Sequence, residues 1–208
     1  MSELKFGIAP QKAALYAVEH WHYSRCLPAG KLIKIGVWEN GKFIGIVVFS
    51  RGATAKLGAQ FGFSQTESCE LTRVALDKHE APVSQIVAYA IKHLKQTNPG
   101  LRLIISFADP VQGHHGGIYQ AGNWIYTGAN KGSTEFVIRG VQMHMRSVHA
   151  KGWKQTLDWI QANVDPKARK VKVPGKHRYI MPLDKPTRRR LKSLMQPYPA
   201  AHAVEESS

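Results

Sequence analysis

The stretch from Lys31 to Ala53, KLIKIGVWENGKFIGIVVFSRGA, constrains the fold of this chain more than any other. Two runs rich in Ile, Val, Phe and Trp flank Asn40-Gly41, the pair that a tight primed turn prefers because it tolerates positive φ. The segment is a β-hairpin. With 208 residues, 43% of them hydrophobic, the chain is long enough for one well-buried domain with an appendage.

The flanking segments extend this start into an α/β order. PQKAALYAVEHWHYS, ahead of the hairpin, carries Ala14, Val18 and Trp21 at helical spacing behind Pro10. CELTRVALDKH alternates as a strand over residues 69–76. APVSQIVAYAIKHLKQTNPG then sets Ile86, Ala90, Ile91 and Leu94 on one helix face and ends in Asn98-Pro99-Gly100. LRLIISFAD, 101–109, is nearly continuous apolar sequence, as expected of a strand buried on both faces. A short helix in GIYQAG, a strand in NWIYTG and a last good strand in STEFVIRG follow, then an amphipathic helix in KQTLDWIQANV. Residues 1–150 are expected to form the α/β domain. Residues 151–208 are expected to be a helix plus a basic extension with a disordered C-terminus.

Charge narrows the function. There are 29 Lys and Arg against 14 Asp and Glu, a net charge of +15. Between 167 and 192, eleven cations face only Asp184, so about ten of those charges lie in one late segment. Such a segment suits the phosphates of double-stranded DNA. Lys170, Lys172, Lys176, Arg178, Arg188, Arg189 and Arg190 are its expected contacts. No apolar run approaches the ~20 residues of a membrane span, and no signal-peptide pattern is seen. A cytoplasmic protein is expected, with Cys26 and Cys69 as unpaired thiols.

Strand, loop, long helix, strand, short helix with Tyr-x-x-x-Gly-Asn, and strand again resembles the GNAT acyltransferase core. That fold has a mixed central sheet in which two parallel strands splay and hold the donor's arm. HWHYSRCLPAGK, GVWENGKFIGIVVFSRGA, CELTRVAL and SFADPVQGHHGGIYQAGNWIYTG together resemble the Mom family of phage proteins, over roughly residues 15–140. The resemblance implies a transferase that converts adenine in DNA to an N6-carbamoylmethyl form and so protects phage DNA from restriction. It implies the host cytoplasm as the location. It also implies an acyl donor, either acetyl-CoA or glycyl-tRNA, the latter making tRNA a partner. In place of the usual glycine-rich phosphate loop stands DKHEAPVSQ, with no glycine and with Glu80 set to repel phosphate.

The resemblance also suggests roles for individual residues. Asp109 ends the buried strand, where open sheets place ligands. It would take a proton or orient the adenine amine, or cap the Asp-Pro turn. Tyr119 stands where the fold carries a general acid, and Ser106 could bond the donor carbonyl. His22, Tyr23 and Ser24 would line the acceptor pocket, with Lys31 and Arg51 on phosphates. Trp21, Tyr23 and Trp124 are candidates to stack on an extruded base. Val74, Leu76, Ser84, Asn123 and Arg73 would flank the donor, although Arg73 could instead pair with Glu70. His22 and His114, with His20 and Cys26, would suit iron or zinc, but no clean ligand spacing accompanies them. A non-catalytic DNA-binding protein on a degenerate core and an ordinary CoA-dependent N-acetyltransferase are the alternatives.

Overall fold

The computed structural model describes residues 2–52, 54 and 56–200. The last residues, expected to be disordered, lie outside the described residues. In chain order the elements are β1 (Leu4–Ile8), α1 (Gln11–Trp21), β2 (Leu32–Glu39), β3 (Lys42–Ser50), β4 (Ser68–Leu76), α2 (Val83–Thr97), β5 (Leu103–Ala108), α3 (Gly117–Ala121) and β6 (Ile125–Ala129). They continue with β7 (Ser133–Ile138), β8 (Val141–Met143), α4 (Met145–Ala150), α5 (Leu157–Asn163), β9 (Arg169–Val173), β10 (His177–Pro182) and α6 (Lys185–Leu191). This is the mixed α/β class expected.

A seven-stranded sheet runs in the order β1-β2-β3-β4-β5-β10-β6. Its first turn is the one the sequence predicts: Asn40 and Gly41 both take positive φ, 51° and 80°, and β2 pairs antiparallel with β3. Gly45 is required for a different reason. A Cβ there would lie 2.0 Å from the Ala75 carbonyl oxygen, so only glycine lets β3 and β4 approach. The helix α1 covers one face, packing Ala14, Ala17 and Val18 on Ile46, Val48 and Ala75. The helix α2 covers the other, with Ile86, Val87, Ala90 and Leu94 against Ile35, Val37, Phe49 and Ile104. At about 25 cal/mol per Å² of apolar area removed from water, these two faces supply most of the drive to fold.

The pair β4 and β5 runs parallel, and its register stops early. Ser68 to Leu71 face Leu103 to Ser106, and beyond that point the two strands are unpaired with each other. The other edge of β4 changes at nearly the same point. Its register with β3 shifts between Val48 and Phe49, so that Thr72 is the extra residue of a bulge. A bulge bends and twists its strand. It lies one residue past the last β4–β5 pair, where the two parallel strands part into a V.

Two features differ from the sequence reading. The last strand of the main sheet is β10, not STEFVIRG; it lies antiparallel against the whole of β5, His177 to Pro182 facing Ala108 to Leu103. Tyr179 and Ile180 are both 0% exposed. Cations and prolines around HRYIMP hide its alternation in the sequence. The chain also does not divide at residue 150. One compact unit comprises residues 1–108, 115–128 and 177–208, and the other comprises 109–114 and 129–176. The second unit has its own sheet, β8-β7-β9, and a core of Phe136, Ile138, Val148 and Ile160 under α4 and α5.

Candidate functional site

The V opens where pairing between β4 and β5 ends, and the residue at its apex on β5 is Ser106. Its hydroxyl is 1% exposed, lies 2.8 Å from the Leu71 carbonyl and 2.7 Å from the Tyr119 hydroxyl. A carbonyl oxygen can only accept, so the single serine proton goes to Leu71 and the tyrosine O–H donates to Ser106. Tyr119, on α3, packs between Trp124 and Tyr179 with ring centroids 5.0 Å from each. Burial pushes its phenol up to about 12, against a smaller lowering from Ser106. It is therefore a protonated donor at neutral pH.

The segment after α1 converges on β4. The Ser24 backbone N–H donates to His22 Nδ1 at 3.1 Å, which makes that nitrogen an acceptor and puts the neutral ring's proton on Nε2. The Ser24 hydroxyl is 2.9 Å from the same nitrogen and 3.2 Å from the Cys26 carbonyl. Arg73, just past the bulge, reaches this loop: Nε donates to Cys26 O at 3.2 Å and a terminal nitrogen to Thr72 O at 2.7 Å. Arg73 thus pins the HYSRC segment to the splayed strand. Tyr23 is 50% exposed and stacks on His22 at 4.4 Å. Val74 and Leu76 lie on the splayed part of β4 as expected, packed against the α2-side core.

A coenzyme A donor would need free amides in the loop before α2. They are not free. Glu39, the last residue of β2, is 6% exposed, and its carboxylate accepts from the backbone N–H of Glu80 and of Ala81, each at 2.8 Å. The amide of Glu80 is the chief cause holding the Glu39 carboxyl below its ordinary range. A fixed internal anion thus holds two amides of this loop, and its charge disfavours a pyrophosphate beside them. Ser84, at the second position of α2, makes no capping bond. Sequence reading missed Glu39. The signal was there: Ile35, Val37 and Glu39 alternate onto one core-facing side.

Asp109 begins the second unit. Its carboxylate accepts from the Val111 N–H at 3.1 Å and pairs with Lys176 Nζ at 2.7 Å. The cap reading is therefore realised, and Lys176, expected on a phosphate, is its partner. Among the described residues no three His, Cys, Asp or Glu side chains gather to hold a metal.

A model of the Mom protein family matches residues 3–200. The chain belongs to the Mom family. It is 27% identical over 186 residues to the methylcarbamoylase mom of Escherichia phage Mu, covering 86% of this chain and 76% of that protein. A solved protein of Acinetobacter baylyi ADP1 with a provisional acetyltransferase name superposes over 89% of this chain and 95% of its own, at 12% identity and a TM-score of 0.46.

Within this Mom-family chain, several residues expected at the DNA or donor have other employment. Trp124 is 1% exposed and belongs to the core, so it is no stacking platform. Trp21 is half-buried against Phe43, which leaves Tyr23 as the exposed ring of the three. Asn123 is exposed and holds the left-handed turn after α3, φ 57°. Gly122 has φ −86° and instead makes room for Trp124, 3.0 Å from where its Cβ would be. Arg178 donates to Thr127 Oγ1 and Gln60 Oε1, and Arg188 to Asn123 O. Arg190 donates to Phe61 O and lies over Phe63. Lys170, Lys172 and Arg189 are exposed. No helix among the described residues is long and apolar enough to cross a membrane.

Proposed function

We propose that this protein is a DNA-modifying transferase that places a carbamoylmethyl group on the N6 amine of adenine in phage or prophage DNA. The observation that carries this reading is Mom-family membership across nearly the whole chain, on a sheet whose splayed strands end at a buried Ser106–Tyr119 pair. Ser106 and Tyr119 orient the group at the apex of the V, and Tyr119 holds a proton for the departing group. The HYS segment, fixed by Arg73, forms the wall beside it. The amine loses a proton to solvent as its new bond to carbon forms. The Glu39 seat disfavours acetyl-CoA, and the +15 charge favours a donor carried on tRNA; its glycyl group is an isomer of carbamoylmethyl, so acyl transfer to N6 is followed by attack of the glycyl amine on C6 and release of the original nitrogen as the amide.

Nucleosides from plasmid DNA, isolated after expression of the protein and of Ser106→Ala, test this by mass spectrometry. The expected result is a deoxyadenosine carrying one carbamoylmethyl group, absent from the variant. Unmodified adenine in cells rich in folded, soluble wild-type protein would favour a DNA-binding protein on a catalytically inactive core, the reading the Glu39 seat also permits.

A further inference from the structure

The second compact unit, residues 109–114 and 129–176, carries ten Lys and Arg against four Asp and Glu. It is joined to β5 at Asp109, three residues beyond Ser106, or about 10 Å of extended chain. Resting on the reading that DNA is the substrate, we propose that this unit is the duplex-docking module of the protein. Its strand β9 grips the DNA backbone through Lys170 and Lys172, and its α4–α5 connection through Arg146, Lys151 and Lys154.

These cations are surplus to the unit's own needs. Three of its four acids are occupied inside it: Asp109 pairs with Lys176, Glu135 accepts from Gln142, and Asp165 accepts from the backbone N–H groups of Arg139 and Lys167. Apart from Lys176, no Lys or Arg of the unit has a carboxylate partner among the described residues. All five gripping residues are exposed. Phosphates bind such cations by displacing counter-ions. In the main unit, by contrast, Arg178, Arg188 and Arg190 donate to that unit's own oxygens.

Two of the lysines are already held in place. Lys170 faces Phe136 across the β7–β9 ladder, its Nζ 5.8 Å from the ring centroid, and Lys151 Nζ lies 5.4 Å from the centroid of Trp153. Both rings belong to one small core, so the two lysines rim the same core. A lysine stacked on a ring loses less rotamer freedom on meeting a phosphate than one moving freely. Cations on an edge strand also guard against strand pairing. That accounts for β9 alone, because Arg146, Lys151 and Lys154 lie off the sheet. A surface of this kind positions the duplex and does not read its bases.

The test is anisotropy of a labelled duplex titrated with the full chain between about 50 and 200 mM salt. It compares wild type, the triple variant Arg146→Ala, Lys151→Ala, Lys154→Ala, and a charge-matched control on exposed lysines of the main unit, Lys12→Ala, Lys92→Ala, Lys192→Ala. Acetylation footprinting of lysines in the wild-type complex, read by mass spectrometry, gives an answer that depends on no variant. The triple variant is expected to melt like wild type and to lower the slope of log affinity against log salt by about 3. The control leaves that slope unchanged, and the duplex protects Lys151, Lys154, Lys170 and Lys172 but not Lys12 or Lys92. Equal loss in both variants, or protection confined to the main unit, overturns the module but not the DNA reading. Unchanged duplex binding with weakened tRNA binding in the triple variant assigns the surface to RNA and overturns the proposal. A folded wild-type chain that binds no duplex even at low salt removes the DNA reading itself, and the docking assignment with it.

Discussion

Tyr119 shows how one side chain can be both core and chemistry. Its ring is walled in by Trp124 and Tyr179, while its hydroxyl has one partner among the described residues, Ser106. Removing only the oxygen separates the two roles. Tyr119→Phe is expected to lower modification by at least about a hundredfold, the lower end of what a positioned proton donor contributes. The lost hydrogen bond should cost about 1 kcal/mol of stability. The phenol's folded pKa of about 12 lies above that of an exposed tyrosine, about 10, so the unfolded chain releases this proton first as pH rises. Stability attached to the protonated form is complete below pH 10 and is lost as pH climbs from about 10 to 12, by about 3 kcal/mol in all. Urea unfolding of wild type and Tyr119→Phe across that window should show the variant losing less.

Among the elements, β10 matters most, because it turns what reads as a detachable cationic tail into the middle of a sheet. A chain ended at residue 176 would expose one whole edge of β5 and remove Tyr179 and Ile180 from the core. It is expected to be insoluble, whereas a separable DNA-binding tail could be cut without loss of the fold. Tyr179→Ala is the milder form of the same experiment and should cost about 3–5 kcal/mol in urea unfolding. β10 was hidden in the sequence because its six residues sit among prolines and arginines whose charge dominates any window. The hairpin, α2 and the buried strand β5 were legible, because turn chemistry and hydrophobic period agree there. The bulge at Thr72 was not. It depends on the register of a neighbouring strand, which no single segment encodes.

For the molecule as a whole, the question is which charges remain for a polyanion. Arg178, Arg188 and Arg190 donate inside the protein, and Lys176 pairs with Asp109, so fewer contacts remain than the eleven late cations suggest. Lys170 and Lys172 stand exposed on the strand β9. Replacing both with Ala should weaken duplex binding evenly across sequences and reduce the slope of log affinity against log salt by about 2. Arg178→Ala should leave that slope alone and lower the melting temperature instead. Anisotropy titrations at several salt concentrations, with thermal melts, separate the two.

The sequence by itself determined the local and the summed properties of this protein. These are the hairpin at Asn40-Gly41, the α/β order, the net charge, the missing glycine loop and the motifs that mark the Mom family. Each depends on neighbouring residues or on composition, and needs no knowledge of what folds against what. The tertiary structure alone decided which groups are already spoken for: Glu39 on the loop amides, Arg73 on the HYSRC segment, Tyr119 on Ser106, and β10 between β5 and β6. A side chain's partners come from distant parts of the chain, and burial fixes both its protonation and the donors it has left.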